Sequence, residues 1–184
     1  MSDPPPPTPV SVLFVCLGNI CRSTMAEAVF RSLTSTPPHP HIASIDSCGT
    51  GAYHVGCAPD ARTLATLRTH GITAYRHAAR KFNPRVDFDK FAYVFAMDGE
   101  NLADLQMLRD REVKRRGGGE EGVGRVMLFG EFGGERRGKG KDKGKGEEVE
   151  DPYYGGEEGF EVVYGQCVRF GKAFLGALES GEEG

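Results

Sequence analysis

The 184-residue chain lacks a dominant charge: 23 Lys and Arg stand against 26 Asp and Glu, a net charge of −3. That balance is too mild to hold a polyanion by bulk electrostatics, so no nucleic-acid partner is expected. No apolar run approaches the roughly 18 residues of a membrane span, so no membrane partner is expected either. The N-terminus carries Asp3 and then Pro4 to Pro7, without the basic region and apolar core of a secretion signal. The five cysteines, at 16, 21, 48, 57 and 167, are odd in number and lack the paired spacing of a zinc site. No metal or other cofactor is expected. A thiol that works as a nucleophile also needs a reducing compartment, which points to the cytoplasm.

What is present is a strand that ends in a thiol. The stretch Val12-Leu13-Phe14-Val15-Cys16-Leu17-Gly18-Asn19-Ile20-Cys21-Arg22-Ser23 passes from an apolar strand through a short loop into a helix. The strand holds Cys16 rigidly, and a loop with Gly18 and Asn19 can curl so that its N–H groups face inward. The helix opening near Ser23 aims the positive end of its dipole at the same point. Arg22 adds a planar fork suited to two oxygens of a tetrahedral anion. A thiol in such a field is expected to ionise. The pattern therefore predicts an oxyanion cradle, Leu17 to Cys21, with a nucleophilic sulfur at its base. The plainer alternative is a buried strand-end cysteine beside an ordinary surface arginine.

Apolar patterning places strands at Val10–Val15, Ile42–Ser47, Phe91–Met97 and Val126–Phe129. Helices are expected over Ser23–Thr34, Asp60–His70, Gly99–Arg116 and Glu158–Leu178, with Asp60 as an N-cap and Gly71 as a stop. The near-continuous apolar first strand reads as one buried on both faces. Strands alternating with helices argue for a parallel α/β sheet, which binds ligands at the carboxyl ends of its strands. Residues 1–9 form a Pro-rich tail, expected to be disordered, ahead of one domain over 10–180. Within 117–146, Gly and Lys alternate so densely that flexible stretches are expected.

Val12–Phe30 resembles the phosphate-binding loop and first helix of the low-molecular-weight protein tyrosine phosphatases. Asp151-Pro152-Tyr153-Tyr154-Gly155 resembles that family's late general-acid loop. Ala96-Met97-Asp98 with Asn101-Leu102 resembles its third-strand exit, and Tyr164-Gly165-Gln166-Cys167-Val168 its last helix. Together these cover most of 10–116 and 147–180. The resemblance implies a three-layer sandwich around a four-stranded parallel sheet in the order 2-1-3-4. It also implies hydrolysis of phosphotyrosine proteins and small aryl phosphates through a phosphocysteine, by a monomer or weakly self-associating chain. One departure is Thr24, where the family usually has the proline favoured in a first helical turn.

On this reading Cys16 is the nucleophile, Arg22 the phosphate clamp and Asp151 the acid that protonates the leaving phenol. Pro152 restricts Asp151 to an extended backbone, although Asp-Pro turns are common without any catalytic part. Ser23 is expected to hydrogen-bond the sulfur, or else only to cap the helix. Tyr53, Tyr153 and Tyr154 are candidate walls for an aromatic leaving group, with His54 beside them as a place to look for substrate preference. By resemblance, His70 supports Asn19, Asp98 anchors the cysteine loop, and Cys21 is a redox partner for Cys16. Three other readings stay open. Arsenate reduction would need relay cysteines, a sugar-phosphotransfer subunit would not need Arg22 or Asp151, and a binding module would need neither Cys16 nor Asp151.

Overall fold

The computed structural model describes residues 8–135 and 146–182. The tail expected over 1–9, and the Gly/Lys-dense centre of the stretch expected to be flexible, therefore lie largely outside the described residues.

The four strands are β1 (Val10–Cys16), β2 (Ile42–Gly49), β3 (Tyr93–Ala96) and β4 (Arg125–Leu128). They pair in parallel in the order β2-β1-β3-β4, as expected. The helices are α1 (Arg22–Ser35), α2 (Ala61–Thr69), α3 (Pro84–Lys90), α4 (Gly99–Arg115) and α5 (Glu157–Ser180). Each element foreseen in the sequence lies within two residues of its expected bounds. The exception is α3, which was not foreseen. It is two turns long, opened by Asn83, whose side chain accepts from Arg85 N, and by Pro84 in the first turn.

Strand β1 shows why its sequence is apolar without alternation. Val12, Phe14 and Cys16 face a core shared with Met25, Val29 and Phe30 of α1 and with Phe170 and Phe174 of α5. Leu13 and Val15 face the opposite core, where Phe82, Phe88 and Leu105 bring in α3 and α4. Side chains alternate along a strand, so a sheet covered on both faces needs an apolar residue at every position. The first core is largely aromatic. Phe174 alone meets Phe30, Tyr93, Phe95 and Phe132 at ring-centroid distances of 4.9–5.9 Å.

The register carries the strand ends to one place. Cys16 lies opposite Gly49, and Val15 lies between Cys48 and Ala96. Gly49 needs its missing side chain, because a Cβ there would stand 2.6 Å from the Leu17 carbonyl oxygen. The chain after β2 then docks on the loop after β1: Thr50 N–H donates to Cys16 O (2.9 Å) and Gly51 N–H to Leu17 O (3.0 Å). Past β4, Glu147 N–H donates to Gly130 O (3.1 Å), and the two residues form an antiparallel bridge. Val149 N–H then bonds Met97 O (2.7 Å), which returns the chain to the carboxyl end of the sheet just before Asp151.

Candidate active site

The loop between β1 and α1 turns at Asn19, whose φ of 57° is the only positive value for a non-glycine among the described residues. Asparagine tolerates this left-handed geometry better than most side chains. The turn directs Asn19 N–H at the Cys16 sulfur (3.3 Å). The Asn19 side-chain amide donates to Ser23 Oγ and Ser47 Oγ, both at 2.9 Å. With Ser23 Oγ already accepting, its own proton is free for Cys16 Sγ, 3.0 Å away. The sulfur thus has the Asn19 N–H as a donor and the Ser23 hydroxyl within hydrogen-bonding reach. Helix α1 starts at Arg22 with no side-chain cap from Cys21, so no cap consumes its first-turn amides. Thr24 sits where proline was noted as usual, and its hydroxyl bonds back to Cys21 O (3.0 Å), tying that turn in another way.

Behind Asn19 lies a buried network that the sequence reading missed. Asn19 Oδ1 accepts from His77 Nε2 (2.8 Å) and from Arg80 N (3.0 Å). Ser47 Oγ donates to Glu27 Oε2 (2.6 Å), as does Tyr75 Oη (2.7 Å), and His77 Nδ1 faces the same oxygen at 3.3 Å. Beside Glu27 the buried Tyr75 phenol is pushed above its ordinary pKa, first by burial and then by the carboxylate's charge. The histidine that supports Asn19 is therefore His77, which corrects the expectation for His70. His70 lies at the far end of α2, stacked on Tyr164 at 3.7 Å and paired with Glu161 Oε2 at 2.8 Å. One signal could have revealed the network: Glu27 is a carboxylate on a stretch of α1 that is otherwise uncharged and buried from Ser23 to Phe30.

Arg22 is buried, and its guanidinium bridges the two sides of the cleft. Nη1 pairs with Asp98 Oδ2, and Nη2 lies 3.5 Å from Asp151 Oδ2. Burial works against its charge, but Cys16, Asp98 and Asp151 outweigh that and raise its pKa further. Asp98 was expected to anchor the cysteine loop backbone. Instead it orients Arg22, while its other oxygen caps α4 by accepting Asn101 N–H (2.8 Å). Asp151 is half exposed, and its Oδ1 accepts Tyr153 N–H (3.1 Å) in a short turn at the loop tip.

These groups line one cleft of about 400 Å³. Its floor is Cys16, Leu17, Gly18, Ile20, Cys21 and Arg22, and its rim is Tyr53, His54, Asp151, Tyr153 and Tyr154. The His54 ring lies close over Gly18, where a Cβ would come within 2.9 Å of it. Tyr53 and Tyr154 are largely exposed, 77% and 93%, and free to meet a planar ligand. Cys21 is buried, and its thiol is pushed up to about 12, by burial first and by Asp60 and Cys16 after it. Burial likewise raises the Cys48 and Cys167 thiols.

A doubly covered parallel sheet, whose interior strand ends in a donor-ringed thiol beside a buried arginine and a loop carboxylate, defines a cysteine-centred enzyme of oxyanion chemistry. The family model described as low molecular weight phosphotyrosine protein phosphatase matches residues 11–181, and the chain belongs to that family. It is 45% identical over 170 residues to a Schizosaccharomyces pombe protein of that name, covering 92% of this chain and 97% of the other. It is also similar to a solved protein tyrosine phosphatase from Entamoeba histolytica with Hepes in the active site. That likeness has a TM-score of 0.75 at 31% identity and covers 95% and 99% of the two chains. A Drosophila arginine phosphatase superposes with a TM-score of 0.74 at 30% identity, over 94% of this chain and 98% of that one.

Proposed function

We propose that the protein hydrolyses phosphotyrosine in proteins, and small aryl phosphates, in two steps through a phosphocysteine. The observation that carries this reading is the convergence of Cys16 Sγ, Arg22 and Asp151 on one tyrosine-rimmed cleft. The loop from Leu17 to Arg22 holds the phosphoryl oxygens, and the Arg22 guanidinium neutralises charge that spreads as the phosphorus–oxygen bond lengthens. Cys16 sulfur attacks phosphorus, and the ester oxygen leaves with its bonding pair. Asp151 gives that oxygen a proton, so the products are a neutral phenol and an S-phosphocysteine. Asp151, now a carboxylate, takes a proton from water as the water attacks phosphorus. Phosphate leaves and the sulfur regains its electron pair, received by the Ser23 hydroxyl and Asn19 N–H.

The sulfonate buffer in the active site of the Entamoeba relative fits a cradle built for tetrahedral oxyanions. The three tyrosines of the rim offer π-faces on which a flat aromatic leaving group can stack. Relay chemistry of the arsenate-reductase type is disfavoured because Cys48 and Cys167 are buried and neither they nor the exposed Cys57 line the cleft. Cys21 remains the redox partner on this reading, as a neutral thiol that must first lose its proton. The reaction belongs in a reducing compartment such as the cytoplasm. No helix among the described residues is long and apolar enough to cross a membrane.

The deciding experiment is hydrolysis of phosphotyrosine and phosphoarginine peptides at mildly acid pH with EDTA present. Wild type should turn over the phosphotyrosine peptide preferentially. Cys16→Ser should abolish turnover, and Asp151→Ala should reduce it about 100-fold or more. Turnover that survives Cys16→Ser, or that requires added metal, would overturn the reading.

A further inference from the structure

One guanidinium spans the gap between the phosphate loop's support and the acid loop. Arg62, in the first turn of α2, grips both oxygens of Asp60: Nε donates to Oδ1 (3.0 Å) and Nη2 to Oδ2 (2.9 Å). Its remaining arm, Nη1, crosses to the carbonyl of Tyr153 (3.0 Å). The plane lies over the Phe160 ring at 4.7 Å and the Tyr153 ring at 5.4 Å. Asp60 is itself held twice. Its Oδ1 caps α2 by accepting Arg62 N–H (2.8 Å), and its own N–H donates to Ile20 O (2.8 Å) in the phosphate loop. Tyr153, at the other end, is the residue whose N–H aims the Asp151 carboxylate.

The path Ile20–Asp60–Arg62–Tyr153–Asp151 therefore joins the sulfur's loop to the carboxylate on the facing wall. It runs outside the space where a phosphate would sit, since neither Asp60 nor Arg62 lines the cleft. A bidentate guanidinium–carboxylate pair is geometrically stiff, and stacking on Phe160 holds its plane. The loop tip it restrains is otherwise anchored by the buried Pro152 and by Arg22 Nη2 at 3.5 Å from Asp151 Oδ2, while Tyr154 is almost fully exposed and Asp151 half exposed.

We infer that Arg62 is a positioning residue for proton transfer to the leaving group, setting the reach between the phosphate loop and the Asp151 carboxylate. The inference rests on the acid role proposed for Asp151. Arg62 acts on aim and not on phosphate, so its importance scales with how much the leaving group needs a proton. Phenol, as weakly acidic as the tyrosine side chain, needs one, whereas a strongly acidic dinitrophenol does not.

The test compares kcat/KM on phenyl phosphate and 2,4-dinitrophenyl phosphate for wild type, Arg62→Ala, Arg62→Lys, Asp151→Ala and the double variant. Arg62→Ala should lose about 10- to 100-fold on phenyl phosphate and less than about threefold on the dinitrophenyl ester. Arg62→Lys, with a point charge in place of a fork, should fall between wild type and Arg62→Ala. Inhibition by inorganic phosphate should be unchanged in Arg62→Ala. In the Asp151→Ala background, removing Arg62 should cost nothing further, because both changes abolish the same transfer.

Equal losses on both esters, weakened phosphate inhibition, or additive losses in the double variant would each overturn the inference. If Asp151→Ala is itself flat across the two esters, the acid assignment fails and takes the inference with it. If Asp151→Ala is steep and Arg62→Ala flat, the inference alone fails. Should Arg62→Ala not fold, Arg62→Gln keeps part of the stem over Phe160 and is read by the same criteria.

Discussion

At the scale of single residues, Asn19 does the most with the fewest atoms. Its backbone N–H and one side-chain amide reach the sulfur directly or through Ser23, and its carbonyl oxygen is buried against His77 and Arg80. The Arg80 backbone N–H can only donate, so the amide end that it meets is the oxygen, and His77 Nε2, facing that same oxygen, must be a donor too. His77→Ala should leave Asn19 Oδ1 with one donor in place of two and cost about 1–3 kcal/mol of stability. A denaturant midpoint will read that loss, and kcat/KM on an aryl phosphate should fall with it. His77→Gln, which can still offer an N–H, should recover part of both. The main catalytic candidates were legible because Cys16, Arg22 and Ser23 share a single stretch of chain and Asp151 carries its own Pro and Tyr neighbours. His77 was not legible, since it lies between α2 and α3 in a segment with no periodic pattern to set one histidine apart. His70 looked suitable because it closes a helix before Gly71, but position along the chain says nothing about which imidazole reaches Asn19.

At the scale of elements, the close approach of the β2 exit to the cysteine loop is the most sensitive joint. The three atoms nearest a Cβ at Gly49, Leu17 O (2.6 Å), Gly51 O (3.2 Å) and Asn19 N (3.3 Å), are all backbone atoms, which cannot step aside as a flexible side chain can. Gly49→Ala should displace Leu17 and Asn19 and weaken phosphate inhibition. Its stability cost is about 1–3 kcal/mol, the range for overpacking a tight site. Titration of activity with inorganic phosphate separates the two effects, and unchanged phosphate inhibition would show that the loop does not depend on β2. Strands β1 and β3 and the long helices were readable because burial on both faces of the sheet gives apolar runs and helical stripes, whereas β2 is an edge strand of mixed sequence. Helix α3 was overlooked because seven residues are too few to show a helical period. Its Asn83-Pro84 opening was the usable sign.

For the molecule as a whole, one contribution to acid stability, beside that of Glu112 with Arg115 and Arg116 on α4, comes from a pair that joins the chain after β4 to α5. Arg169 holds Glu147 well below the ordinary carboxylate value of 4.5, at about 2, mainly through their hydrogen-bonded pairing. A carboxylate with a depressed folded-state pKa contributes stability above its unfolded value, and that contribution is lost as the pH falls through the folded one. The loss should therefore run from about pH 4.5 to about pH 2, and Arg169→Met should flatten it. Urea midpoints across that window will show whether the variant's curve is shallower than wild type. An unchanged slope would place the acid sensitivity elsewhere. Solvent reaches this pair, so its share of the total stability is modest.

The bridge between Gly130 and Glu147 has a consequence for how the chain can vary. It closes a loop at its base, so whatever number of residues lies between those two points, the chain leaves for Val149 and Asp151 from the same place. Loop closure is weakly dependent on length, at roughly 0.6 kcal/mol per doubling. A change in the number of residues between those two points should therefore leave the carboxylate downstream where it is. Removing residues 136–145 should shorten the protein while leaving its kcat/KM on aryl phosphates where it was.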